Sequence, residues 1–343
     1  MTLTLIPEKS KKLETAKASD AVKALKNRVD TKLTAVNDAI VDKMQSPISL
    51  IPQLAGHLIA SGGKRLRPLL TLGTADLLGY QGDRHVKLAA CVEFIHTATL
   101  LHDDVVDESG LRRGKQTANS IWGNQASVLV GDFLFSRAFQ LMVEDGSLEV
   151  IKILSDASAT ISEGEVLQLQ VVGDITLSEE TYLEVITAKT AALFAAACEI
   201  SGSVAGVDTA QQKAVRDYGL YLGIAFQIAD DALDYVADEA VLGKAVGDDF
   251  REGKLTLPVI LAYHQGDPDE QDFWKRALAK RDQAPEDLTK ALALMEKHGA
   301  LKETDARAKA YAQAAKDALS IFPDGETRRI LEGVADFAVA RLS

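Results

Sequence analysis

Two short acidic segments share one pattern. Asp103-Asp104-Val105-Val106-Asp107 and Asp230-Asp231-Ala232-Leu233-Asp234 both read Asp-Asp-x-x-Asp. On a helix, positions i and i+4 lie one above the other, so Asp103 is expected to point the same way as Asp107, and Asp230 the same way as Asp234. Like charges at that spacing repel, which calls for something positive between them. Hard divalent cations with oxygen ligands answer that need. Mg²⁺ in particular takes a few carboxylates and completes its octahedron with water and substrate phosphate. With 30 aspartates in 343 residues, chance gives about 0.2 copies of the pattern, and the near-miss Asp248-Asp249-x-x-Glu252 shows that similar clusters arise anyway. The flanks carry more weight. Phe94–His102 and Leu222–Ala229 are largely apolar helical stretches that end at the carboxylates, placing both sets at the rim of a core. An EF-hand is excluded, because its glycine and alternating ligand spacing are missing.

Islands of positive charge accompany these segments. Lys64, Arg65 and Arg67 follow the pair Gly62-Gly63; Arg112, Arg113 and Lys115 follow the first aspartate set; Lys244, Arg251 and Lys254 follow the second. Arg forks and Lys point charges are what a diphosphate needs for charge-assisted hydrogen bonds. Surface salt bridging would explain any one island, but explains three beside the carboxylates poorly. The Gly-rich pieces form neither a P-loop nor a dinucleotide fingerprint. Metal-type carboxylates, cations and apolar helices together describe a site for a phosphorylated, greasy substrate.

The elements that must position these groups read as helices. The chain is 47% hydrophobic and 26% charged, with only eight prolines, which excludes a disordered or fibrous protein and favours helix. Residues 1–18 are polar and Lys-rich and are expected to fray. Val22, Leu25, Val29, Leu33, Val36, Ile40 and Met44 step by three and four and predict an amphipathic helix over about 20–45, stopped by Pro47. Beyond it, helical segments alternate with short Gly, Pro or Asp punctuation, and no composition shift marks a linker. The expectation is all-α: one large helical-bundle domain over 19–343, whose interior could hold a cavity. A net charge of −12 argues against nucleic acid as a partner. Cys91 and Cys198 sit in apolar stretches and read as reduced core thiols. The N-terminus lacks the features of a signal peptide, and the longest uncharged stretch, 46–63, contains two prolines, Gln53 and His57; a soluble, cytoplasmic protein is expected.

Five ordered motifs make the chain recognisable: Gly62–Pro68 (GGKRLRP), Leu100–Gly114 (LLHDDVVDESGLRRG), Lys189-Thr190, Phe226–Asp234 (FQIADDALD) and Gly243–Pro258 (GKAVGDDFREGKLTLP). Over roughly residues 45–343 it resembles the trans-isoprenyl diphosphate synthases, most closely their long-chain polyprenyl branch. The resemblance implies an all-helical bundle with a deep central cavity, usually a homodimer. It also implies Mg²⁺-dependent head-to-tail condensation of isopentenyl diphosphate onto an allylic diphosphate such as farnesyl or geranyl diphosphate. By the same resemblance, Asp103 and Asp107 would ligate two Mg²⁺ and Asp230 a third, supported by Asp104, Asp231 and Asp234. Lys64, Arg67 and Arg113, helped by His96, would grip isopentenyl diphosphate. Arg112, Lys189, Lys244 and Lys254 would hold the allylic diphosphate, and Thr190 and Gln227 would face the reacting carbons. Asp248-Asp249 stands where the family usually has Asn-Asp, adding one negative charge near Lys244.

Product length turns on Ala98 and Thr99, five and four places before Asp103. Short-chain members typically carry a bulky aromatic at one of these positions; two small residues imply a tunnel open to a longer chain. Phe133, Phe135 and Phe139 are candidate plugs, with ordinary packing the better reading of them. The expected product is C40–C50, the length of a quinone tail such as that of ubiquinone, with C50 slightly ahead. The alternatives are a short-chain (C15–C20) synthase, disfavoured by Ala98 and Thr99, and a regulatory subunit of a heteromeric synthase, disfavoured by two intact aspartate sets. A terpene cyclase would not need the isopentenyl-binding cations. A product this greasy also suggests peripheral membrane contact at release, although no basic amphipathic anchor is visible.

Overall fold

The computed structural model describes residues 20–60, 65–112, 114–236 and 246–340. Apart from one two-stranded hairpin, the regular structure of these residues is helical. Backbone contacts divide the chain into two compact units, one made of 25–158 and 193–219, the other of 1–24, 159–192 and 220–343. The crossings fall in helical stretches, within 20–28, within Leu148–Val171, at the start of Ala192–Ala205 and within Thr209–Val236. That is why no shift in composition marks them.

The first unit is organised on α5 (Arg84–Val106). Val86 and every residue from Leu88 to Ile95 are buried. A helix buried on all sides over this length belongs inside a core, and the one charged residue of the stretch, Glu93, is paired with Arg65. It packs against α2 (Asp30–Lys43), α4 (Leu66–Leu77) and α7 (Asn124–Asp145). The helix read from the stripe at 22–44 appears as two helical stretches, 20–28 and α2, with Val29 between them. Leu25, Val29, Leu33, Val36 and Ile40 are buried as that spacing requires, and Arg28–Asp76 and Lys32–Asp83 ion pairs tie the segment down. The stripe therefore serves the interior of this unit. α7 buries Ser127, Val130, Gly131, Leu134, Ala138, Leu141 and Met142. Gly131 permits its close approach to α5: a Cβ there would lie 2.3 Å from His102 Nε2. The three phenylalanines of α7 lie off this stripe. Phe133 lies under the Arg137 guanidinium at 4.7 Å, and Phe135 meets Phe139 edge-on at 5.3 Å. α7 is also the one helix among the described residues long and apolar enough to cross a membrane, although Asp132 and Arg137 interrupt its apolar run. Both cysteines are buried and free; burial pushes each thiol far up from its ordinary pKa.

The second unit includes α9 (Glu179–Ile186), the C-terminal half of α11 (Thr209–Val236) and the helices beyond it. Its C-terminal core gathers Trp274, Phe250, Phe273, Tyr263, Leu278 and Met295. Polar struts fix the surrounding helices. Arg276 makes two hydrogen bonds to the Asp287 carboxylate at 2.8 and 2.7 Å. Asp267 and Glu270 form a capping box at the start of α14 (Pro268–Trp274; α12 and α13 are Asp248–Arg251 and Leu257–Gln265). Glu270 also receives Lys297 and, at 2.7 Å, His298. These donors hold the Glu270 carboxyl down at about 2, against 4.5 ordinarily.

A carboxylate depressed in this way stabilises the fold above its unfolded pKa, and that stabilisation is lost as pH falls through the folded value. The prediction is that Glu270→Gln lowers stability at neutral pH but flattens its further loss between about pH 4.5 and 2. Urea midpoints measured across that range would show it; equal acid slopes in variant and parent would refute it.

Candidate active site

The first aspartate set sits where α5 ends. Asp103 is half-buried, Asp104 fully buried and Asp107 exposed at the C-cap, its N–H donating to the Asp103 carbonyl at 2.8 Å. Three adjacent environments therefore replace one uniform acidic face. The Asp104 Oδ1 accepts from Arg112 Nε at 2.8 Å and lies 2.7 Å from Arg112 Nη2. The Asp104 Oδ2 is buried without a hydrogen-bond partner among the described residues. The Asp104 carbonyl is held by Asn119 Nδ2 at 2.9 Å and by the Ser109 N–H at 3.0 Å. The tight turn after α5 leads into the hairpin β1 (Leu111–Arg112) and β2 (Lys115–Gln116), which presents Arg112. With Nε and Nη2 committed to Asp104, the Nη1 edge of Arg112 remains to meet an anion.

Arg65 starts α4 in the left-handed region (φ 50°) and pairs with Glu93. The Arg67 guanidinium lies over the Phe194 ring at 4.4 Å. Arg65 is thus a structural partner of α5, whereas Arg67 is half-buried on an aromatic face. His96 is half-buried on α5 and its carbonyl accepts from Thr99 Oγ1 at 2.9 Å. Ala98 is fully buried. Thr99 is half-buried, one turn before Asp103 and on the same helix face. Lys64, Arg113 and Lys244 lie outside the described residues.

In the other unit, α9 runs into a π-helical turn over Thr187–Ala191 that carries Lys189 and Thr190. π-turns inside helices are frequently found at functional sites. Lys189 Nζ lies 2.7 Å from Glu165 Oε2 and donates to Gln168 Oε1 at 2.8 Å, both on α8 (Leu148–Val171). Gly164 makes room for the turn, since a Cβ there would come within 2.6 Å of the Ala188 Cβ. Thr190 Oγ1 donates to Gln227 Oε1 at 2.9 Å, Gln227 Nε2 to Asp231 Oδ1 at 2.7 Å, and the Tyr182 hydroxyl to Asp231 Oδ2 at 2.6 Å.

The second aspartate set also separates by depth, although all three residues lie on α11. Asp230 is exposed, while Asp231 and Asp234 are buried. Asp230 and Asp234 differ in burial although one helical turn separates them, because the i, i+4 spacing fixes angle but not depth. One Asp234 oxygen accepts the Asp249 N–H at 2.9 Å, and its carbonyl accepts the Gly247 N–H at 2.8 Å. Asp234 thus anchors the start of α12. Lys254 Nζ lies 2.7 Å from Glu252 and 3.9 Å from Asp249. Burial, then the charges of Asp249 and Asp230, push Asp231 up to about 8, against the hydrogen bonds from Tyr182 and Gln227. Among the described residues no three His, Cys, Asp or Glu side chains gather as a metal site. The donor chemistry of each set nevertheless fits a hard divalent cation: the ligands offered are oxygens only, and Asp103 and Asp107 in the first set and Asp230 in the second are not buried. Tyr182, Glu165, Gln168 and Asn119 escaped the sequence reading. Only Tyr182 left a trace, seven residues before Lys189.

Comparison with known proteins follows the same residues. The polyprenyl synthetase family model matches residues 48–295. The chain is 48% identical over 309 residues to the octaprenyl diphosphate synthase of Escherichia coli (strain K12), covering 90% of this chain and 95% of that protein. It is similar to the polyprenyl synthase from Caulobacter crescentus CB15 solved with calcium and isoprenyl diphosphate, with a TM-score of 0.90 and 55% identity over 94% of this chain and 98% of that one. The decaprenyl diphosphate synthase from Rhodobacter capsulatus superposes with a TM-score of 0.91 at 52% identity, covering 94% and 99%.

The Arg112–Asp104 pair gives a stability prediction. Arg112→Ala leaves a buried carboxylate without its counter-charge and is expected to cost about 1–3 kcal/mol, less than a wholly buried pair because Arg112 is partly exposed. Adding Asp104→Asn to that variant should restore part of the loss in urea unfolding. A double variant weaker than Arg112→Ala alone would contradict this account.

Proposed function

Because the chain belongs to the polyprenyl synthetase family and is therefore a prenyltransferase, we propose that it adds isopentenyl diphosphate units head-to-tail to an allylic diphosphate, farnesyl or geranyl, to make an all-trans C40–C50 polyprenyl diphosphate. The observation that carries this reading is the 48–55% identity, over nearly the whole chain, to octaprenyl, decaprenyl and polyprenyl synthases. A long product is favoured over C15–C20. C50 stands slightly ahead in view of the decaprenyl synthase, and a quinone side chain such as that of ubiquinone is the destination of such a product.

In this reading Asp103 and Asp107 hold Mg²⁺ at the end of α5 and Asp230 holds it on α11; the family pattern suggests about three ions. The calcium in the Caulobacter structure supports a divalent ion. Bound Mg²⁺ would supply Lewis-acid neutralisation of the charge that develops on the departing diphosphate. The protein's own cations do the remaining electrostatic work. Arg112 offers its free edge to a phosphate oxygen while Asp104 holds it in aim. Lys189, Lys254 and Lys244 bind the allylic diphosphate, and Arg67, His96, Lys64 and Arg113 the isopentenyl diphosphate. The allylic C–O bond breaks to a delocalised cation, with Thr190 and Gln227 directing oxygen dipoles at it. The isopentenyl double bond attacks, and the departing diphosphate takes the proton whose loss restores the alkene. Water must be excluded, or the cation is quenched to an alcohol. Small residues at 98 and 99 leave the growing chain room beyond Asp103.

Assembly and location complete the proposal. Leu129 and Val143 on α7 are about two-thirds exposed and Phe139 nearly half, an apolar surface that supports pairing with a second copy as a homodimer. The enzyme is placed in the cytoplasm, with transient peripheral membrane contact when the product leaves.

Mass-resolved product analysis with isopentenyl and farnesyl diphosphates tests the reaction: a Mg²⁺-dependent C40 or C50 diphosphate is expected, abolished by chelator, and a C15–C20 limit would overturn the long-chain reading. Asp103→Ala and Asp230→Ala should each lower turnover by about a hundredfold or more with unchanged helical circular dichroism; full activity in both would remove the metal assignment. Thr99→Phe or Ala98→Phe should shorten the product, with an overpacking cost of about 1–3 kcal/mol at fully buried Ala98. Unaltered chain length in both variants would mean that the tunnel runs elsewhere.

A further inference from the structure

A threonine hydroxyl can donate or accept, and beside a forming allylic cation only its lone pairs help. The direction of the Thr190 proton is therefore a chemical variable, and the groups behind it settle that direction. Thr190 Oγ1 lies 2.9 Å from Gln227 Oε1. An amide presents its carbonyl on one side and its NH₂ on the other, so Gln227 accepts from Thr190 only while its Nε2 faces away. It does so because Nε2 donates to Asp231 Oδ1 at 2.7 Å. Oδ1 accepts from that NH₂, and this sets the polarity of the contact. The other Asp231 oxygen is occupied as well, by the Tyr182 hydroxyl at 2.6 Å. Tyr182 and Asp231 are both buried, and every member of this relay lies on α9, the π-turn or α11.

We propose that Tyr182 is a positioning residue for the ionisation step: through Asp231 and Gln227 it holds Thr190 with its proton turned inward and its lone pairs outward. In the same arrangement Asp231 orients the amide and is not a metal ligand, unlike the role the resemblance suggests for it. This inference rests on the reading that Thr190 faces the reacting carbons. Both Asp231 oxygens are taken by donors held in the interior, which leaves the exposed Asp230 as the carboxylate of this pair suited to a cation. The relay also gives the π-turn a purpose, since it sets the angle at which Thr190 meets Gln227.

Tyr182→Phe keeps the ring and its packing and deletes one hydroxyl. It should lower kcat for condensation by about ten- to a hundredfold, with KM for both diphosphates changed by less than about twofold. In a Thr190→Ala background the same substitution should have no further effect on kcat. An equal loss in both backgrounds would mark a merely structural role and overturn the proposal. Asp231→Asn replaces one acceptor oxygen by an NH₂, so Tyr182 and Gln227 can no longer both donate to separate oxygens; it should cost at least as much in kcat as Tyr182→Phe. Calorimetric titration of Mg²⁺ with the unreactive thiolo analogue of farnesyl diphosphate should then give an unchanged Mg²⁺ affinity, whereas a drop of about tenfold would make Asp231 a ligand and sink the proposal. All these quantities are ratios to the parent enzyme, whose own product formation tests the functional reading separately.

Discussion

Carboxylates gathered at the ends of apolar helices repel each other, and much of the polar structure answers that repulsion. A buried carboxylate is tolerated when donors or an opposite charge surround it. Asp104 has Arg112, Asp231 has Tyr182 and Gln227, and Asp234 has the backbone of α12. These hydrogen-bonded members are buried, whereas Asp103, Asp107 and Asp230 are not.

The two motifs have one spelling but different internal economies. In the first, the middle aspartate aims an arginine; in the second, the middle aspartate aims an amide and the third caps a helix. The second motif stays within a long helix, while the first runs off the end of α5 at Asp107. Identical spacing thus yields different environments because the helix stops at one site and continues at the other.

Helical architecture was legible because apolar residues recur at three and four places, most plainly along 22–44, where every stripe residue from Leu25 to Met44 is buried. Candidate chemistry was legible because carboxylates and cations are conspicuous in ordered clusters. Depth was not legible: the spacing of Asp230 and Asp234 gives an angle around the axis, not distance from solvent. The partners of Lys189 were also hidden, since Glu165 and Gln168 lie more than twenty residues upstream on another helix. The π-turn at 187–191 has no signature in residue type. Pairing into two units likewise depends on contacts between distant stretches and not on any local punctuation.

Those interleaved stretches set a timetable for biosynthesis. One unit needs both 25–158 and 193–219, and the other is completed only by 220–343. As the ribosome emits the chain, the first unit waits for a late helical pair after the intervening segment has emerged. The second waits for the C-terminus. Neither can close as an early, self-sufficient intermediate, so the nascent protein must shield incomplete apolar helices for much of translation. The same threading denies a clean cut: a nuclease-trimmed gene encoding either half would leave its product short of a segment supplied from elsewhere in the chain.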